Sequence, residues 1–134
     1  MTSAPLGHEL CPCGSAVAYM SCCRPFHSGM SHAPTALALM RSRYCAYVCR
    51  DVAYLLATWH PETRPQTLEL RSQRIRWLGL EILGTSHGED HATQGEVWFC
   101  ARYRQDLARH ELRERSQFIR IDGRWFYVDG QVEA

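Results

Sequence analysis

Two periodicities divide the chain. From Thr35 to Arg50 apolar residues return at three- and four-residue steps, at Ala36, Leu37, Met40, Tyr44, Tyr47 and Val48. That spacing predicts one amphipathic helix starting near Pro34 or Thr35. Asp51 is placed to cap a second, short helix over Val52–Trp59, with Tyr54, Leu55 and Leu56 for packing and Pro61 and Pro65 to stop it. From Ile75 the period changes to two, and strands are expected at 75–85, 94–105, 111–121 and 124–130. Residues 66–74 fit either a short third helix or an extended approach to the sheet. Asp122-Gly123 predicts a two-residue hairpin, which would set Ile121 opposite Arg124, Phe118 opposite Tyr127 and Ser116 opposite Asp129.

That register sorts the strands into faces. One face carries Leu112, Glu114, Ser116 and Phe118 beside Trp125, Tyr127 and Asp129. A turn near Leu107-Ala108 would add Val97, Phe99, Ala101 and Tyr103 to it. The other face, with Trp98, Arg102, Arg104, Arg113, Arg115 and Gln117, is wetter. Helices first and an antiparallel meander afterwards give an α+β domain, its helices covering the first face.

The first thirty residues show neither period. Their order lies in Cys11-Pro12-Cys13-Gly14-Ser15 and Cys22-Cys23, which place four of the seven cysteines within a segment too short to bury a core. Four soft ligands so close suit one tetrahedral zinc ion. Pro12 stiffens the first pair, and Gly14 permits the turn that lets both sulfurs face inward. The vicinal second pair leaves the fourth ligand open between Cys23 and His27. A disulfide or a redox pair is the alternative, although Cys-x-x-Cys at a helix start is absent. Residues 24–34, with two prolines and a glycine, are expected to link this knuckle (1–29) to the domain (30–134).

Composition mainly excludes. The 134 residues suffice for one domain plus the knuckle, and 46% apolar content is ample for its core. A net charge of +1 gives no global field for nucleic acid or anionic membrane, and all fifteen basic residues are Arg. No apolar run is long enough to span a bilayer. Met1–Leu10 lacks a basic start and an apolar stretch, so no export signal is expected. With an odd number of cysteines, a reducing cytoplasm is the expected location. Cys45, Cys49 and Cys100 then read as small buried hydrophobes.

Cys11-Pro-Cys-Gly-Ser with Tyr19 and Cys22-Cys23 resembles the SEC-C motif, the zinc knuckle at the carboxyl end of the translocase motor SecA. In that motif the last pair is Cys-His or Cys-Cys, which favours Cys23 over His27 and implies Cys11, Cys13, Cys22 and Cys23 as zinc ligands. The order of elements resembles the cone-shaped, cystatin-like fold of nuclear transport factor two and ketosteroid isomerase. Met40-Arg-Ser-Arg-Tyr-Cys-Ala-Tyr47, Thr58-Trp-His-Pro61, His110 to Phe118 and Gly123 to Gly130 together resemble the bacterial YchJ-like family. That resemblance spans about residues 10–130. It implies fold and zinc, and little chemistry.

Cone folds often keep a pocket between sheet and helices, so polar groups on the apolar face are weighed first. Glu114 leads them, as a base or a ligand anchor, with Arg41, Tyr44, Tyr47, Trp59, Ser116, Trp125 and Tyr127 as pocket candidates. The plainer expectation is that Glu114 pairs with Arg41 or Arg43 and that the aromatics simply pack. His60 could shuttle a proton at the pocket mouth or cap its helix. His87-Gly-Glu-Asp-His91 reads as a polar loop. The favoured function is an adaptor whose knuckle docks on a protein partner, with a cone that holds a small ligand. The alternative is an isomerase- or hydrolase-type enzyme with Glu114 as base and Tyr127 or His60 as partner. Nucleic-acid association through the knuckle and Arg102–Arg120 is the weakest reading, because Asp106, Glu111 and Glu114 interleave with the arginines.

Overall fold

The computed structural model describes residues 5–70, 73–89 and 91–133. A one-turn helix α1 (Arg24–His27) follows the cysteine segment, and the long helix α2 spans Ala36–Cys49. Thr35 caps α2 by accepting from the Ala38 amide at 3.0 Å, and Arg50 ends it in the left-handed conformation. Helix α3 (Val52–Ala57) begins at Asp51, whose side chain accepts from the Tyr54 amide. It ends two residues earlier than expected, because Trp59 leaves it to form a parallel bridge with Tyr127. Residues 66–70 form no helix, and the rest of the ambiguous 66–74 stretch includes 71 and 72, outside the described residues.

Strands β1 (Ile75–His87), β2 (Gln94–Gln105), β3 (Ala108–Ile121) and β4 (Arg124–Val132) form one antiparallel meander in chain order. The β2–β3 turn is Asp106-Leu107, one residue before the expected place, with Asp106 at φ 55°. The resulting register puts Val97, Phe99, Ala101 and Tyr103 opposite Ser116, Glu114, Leu112 and His110. Register shifts at Leu78 and Leu83 bend β1, and the sheet curves over α2, which packs on β1, β2 and β4.

The last hairpin turns at Asp122-Gly123 as predicted, with Ile121 opposite Arg124 and Phe118 opposite Tyr127. Beyond that the expected register fails. A bulge at Val128 sets Ser116 opposite Gly130, so Asp129 leaves the inner face and is exposed. The space it vacates is filled by Glu114, whose carboxylate a Cβ on Gly130 would overlap.

The core joins the two halves of the chain. Leu39, Met40, Tyr44, Val97, Phe99, Phe118 and Trp125 form one buried cluster with Cys11, Cys13, Tyr19 and Cys23. Ala46, Leu55 and Leu70 make a second cluster on another side of α2. No residue of α2 is exposed, so the single predicted stripe understates its burial. Residues 24–34 are more than a linker, since α1 rests on α2. Among the described residues no helix is long and apolar enough to cross a membrane, and all seven cysteines are free of disulfides.

Phe118, 1% exposed at the centre of the sheet, is the most sensitive core position: Phe118→Ala is expected to cost about 3–5 kcal/mol in urea unfolding. Burial raises the phenol pKa of Tyr19, Tyr44 and Tyr127, and pushes Tyr54 up to about 12. Folding therefore favours the neutral phenols. This contribution is complete below the ordinary value of about 10 and is lost as pH rises through about 12. An alkaline unfolding titration should show stability falling across that window.

Candidate functional site

The cysteine segment closes on itself before it meets the sheet. Leu10 and Ala18 form an antiparallel bridge, the Cys11 amide donates to Val17 O at 2.8 Å, and a 3-10 turn at Tyr19–Ser21 delivers the second pair. The ligating sulfurs of Cys11, Cys13, Cys22 and Cys23 all lie within 4.8 Å of one another. Cys13 Sγ is 3.6 Å from Cys22 Sγ, and Cys22 Sγ is 4.0 Å from Cys23 Sγ. Sulfurs bound about 2.3 Å from one tetrahedral ion stand about 3.8 Å apart, so this set is able to hold a metal ion.

Electrostatics favours the same conclusion. Hydrogen bonds from Cys13, Cys23 and Cys45 hold Cys11 far below the ordinary thiol range, while the thiols of Cys23 and Cys45 are driven up by the same contacts and by burial. Burial pushes Cys22 up to about 11, against a hydrogen bond to Ser15 at 3.1 Å. A divalent ion is the charge that would let all four ionise.

His27 stands outside this set. Its Nε2 donates to Ser42 O at 2.8 Å, which leaves Nδ1 to accept from the Tyr19 hydroxyl at 2.8 Å. Both ring nitrogens are spent holding the knuckle to α2. Arg41 Nη1 adds a bond to Cys13 O at 2.8 Å, and Cys45 Sγ lies 3.9 Å from Cys11 Sγ. Gly14, at φ 83°, faces β1, where a Cβ would sit 3.2 Å from Leu80 O. Cys45 is the neighbour that sequence reasoning missed. It is a buried hydrophobe as expected, and it also places a sulfur against the cluster, a contact the sequence does not announce.

The second feature is a cavity of about 250 Å³ between α2 and the sheet. Tyr44, Tyr47, Glu114, Ser116 and Tyr127 all line it, as expected from the sequence. Glu114 Oε2 accepts from Ser116 Oγ at 2.6 Å and more loosely from Tyr127 Oη at 3.5 Å. Among the described residues no cation lies within ion-pair distance of Glu114, so the expected pairing with Arg41 or Arg43 is not made. Arg41 is drawn to the knuckle. Arg43, 3% exposed, donates from Nη1 to Leu55 O at 2.8 Å and Thr58 Oγ1 at 2.7 Å. Its guanidinium also lies 5.0 Å from the centroid of Trp59 and 4.6 Å from that of Tyr127. Burial lowers its pKa, and the Tyr47 and Tyr127 oxygens and Glu114 oppose that shift.

Besides Arg41, the pocket candidates Trp59 and Trp125 and the proposed shuttle His60 fall elsewhere. Trp59 packs edge-on against Tyr127 at 5.1 Å, behind the cavity wall, and its buried Nε1 has no partner. Trp125 donates Nε1 to Pro34 O at 3.1 Å. His60 takes the Glu62 amide on Nδ1 beside Phe126. It lines no part of the cavity and is not brought to Glu114. On the outer face, Arg102 bonds Glu81 at 2.8 Å and Glu111 at 3.1 Å. The His87–His91 run includes residue 90, outside the described residues.

The family described as "YchJ, middle NTF2-like domain" matches residues 35–130. A UPF0225 protein of Streptomyces avermitilis is 55% identical over 121 residues, covering 90% of this chain and 83% of that one. A UPF0225 protein of Bordetella parapertussis is 44% identical over 135 residues, covering 98% and 99%. Among solved structures, a SEC-C motif containing protein from Rhodopseudomonas palustris superposes with a TM-score of 0.83 at 33% identity, over 94% of this chain and 100% of that one. Another from Psychrobacter arcticus, at 24% identity, gives 0.77 over 96% and 85% and speaks for the fold alone.

Cys13→Ser is expected to abolish metal retention in elemental analysis. Amide exchange should rise through residues 9–27 and along the α2 face they cover, while the sheet stays protected.

Proposed function

The chain belongs to the YchJ-like UPF0225 family, in which a SEC-C segment joins an NTF2-like domain, and we propose that it is a small-ligand-binding protein whose knuckle is a zinc-held clamp. The observation that carries this is Glu114. It is a half-buried carboxylate at the wall of a largely aromatic cavity, held by two hydroxyls and by no cation. An inward carboxylate kept only for stability would be expected to take an arginine, and Arg43 is close by but committed elsewhere. A group left free to bond in a concave apolar site is suited to fixing a ligand's orientation. Zinc fits the knuckle because an all-thiolate tetrahedron is a structural, closed site for that ion. Proton abstraction by Glu114, with Tyr127 as partner, is the enzymatic form of the same proposal.

A second role has its own support. The knuckle exposes Leu6, Leu10, Val17 and Met20 at 62%, 66%, 43% and 54%, an apolar group on a metal-held scaffold that suits docking on a protein partner. Such docking would add to the cavity's function without competing with it.

The cavity is tested by ligand-detected NMR against a mixed set of small aliphatic and aromatic probes. Hits are expected to disappear in Ala101→Leu, which fills the cavity from a 2% exposed position. A set without hits, or hits indifferent to that substitution, would falsify the ligand-binding proposal.

A further inference from the structure

The chemistry of the ligand can be narrowed from where charge is left unpaired. Inside the cavity Glu114 Oε1 makes no hydrogen bond among the described residues, since both hydroxyl donors go to Oε2. Aromatic rings make up much of the same lining. Tyr44, Tyr47 and Tyr103 stand 5.7, 6.0 and 5.4 Å from Trp77, inclined at 73°, 56° and 55°, so they enclose space and do not stack. A carboxylate and the electron-rich faces of aromatic rings attract the same partner, a positive charge with little hydration. Arg43, the one guanidinium on the lining, is turned into the Trp59–Tyr127 sandwich and onto Leu55 O and Thr58.

The cavity continues outward. A cleft of about 470 Å³ shares Tyr47, Gln73, Ile75 and Trp77 with it, and adds Arg50 and Arg76. Among the described residues no carboxylate lines that cleft, and neither arginine has an ion pair or side-chain hydrogen bond. The mouth is therefore positive and the floor negative. Guanidinium groups so placed suit a carboxylate or phosphate.

Resting on the ligand-binding proposal, we propose that the site takes a small zwitterion, with an ammonium head against Glu114 within the tyrosines and Trp77, and an acidic group at Arg50 and Arg76. At about 250 Å³ the inner space is below the ~300–1,000 Å³ of drug-sized sites, which fits a compact head such as trimethylammonium.

Three probes test this on the full chain by calorimetry and tryptophan fluorescence: phosphocholine, choline, and 3,3-dimethylbutan-1-ol, the uncharged carbon analogue of choline. Choline is expected to bind about tenfold more tightly than the alcohol, and phosphocholine more tightly again. Glu114→Gln should collapse choline onto the alcohol. Arg76→Gln, at an exposed position that folding does not need, should remove the advantage of phosphocholine over choline. An alcohol that binds as well as choline overturns the cationic head and leaves ligand binding standing. So does a blank with all three probes when other small molecules still give hits lost in Ala101→Leu. A phosphocholine advantage that survives both Arg76→Gln and Arg50→Gln overturns the acidic tail.

Discussion

A helix with no exposed residue must find cover in every direction, and this constraint shapes the whole molecule. Helix α2 meets the curved sheet through Met40 and Tyr44, the second cluster through Ala46, and the knuckle through Arg41, Ser42 and Cys45. The sheet alone cannot wrap it. The cysteine segment supplies the missing side, although it is too small to bury a core unaided. Its fold gathers four sulfurs within 4.8 Å of one another, and its place on the helix rests on Arg41, His27 and a close approach at Gly14.

Much of this was legible from pattern alone. The alternation in β2 and β3 placed Val97, Phe99, Ala101, Ser116 and Phe118 on the inner face, because a regular strand pair keeps its phase. The same logic failed at Val128, where an added residue inverts the phase and nothing in the local sequence announces it. The fate of Arg41 and Arg43 was equally hidden. Two residues apart on a helix, they must diverge, but which one goes inward depends on Thr58, Trp59 and Leu55 arriving from α3. Glu114 lines the cavity but takes hydroxyl donors in place of an arginine for the same reason: long-range geometry chose them.

Arg43 also gives Trp59 and Tyr127 a structural role. A buried guanidinium without a carboxylate needs acceptors and ring faces to offset its lost hydration. Those two aromatics provide the faces, and Tyr127 further offers its hydroxyl to Glu114. The cation is thereby tied into the wall while the carboxylate stays accessible. Cation and carboxylate sit on either side of one phenol ring, and among the described residues no salt bridge closes the cavity.

The extra residue in β4 has a counterpart in the acid–base character of the cavity. In a strand shorter by one, the position beside Glu114 would belong to Asp129 and not to Gly130. Two carboxyl groups crowded together would share a proton, and the chamber would behave as a coupled diacid. The irregular backbone leaves Glu114 as the carboxylate of the described lining, so strand length, more than any side chain there, fixes how much negative charge the chamber carries.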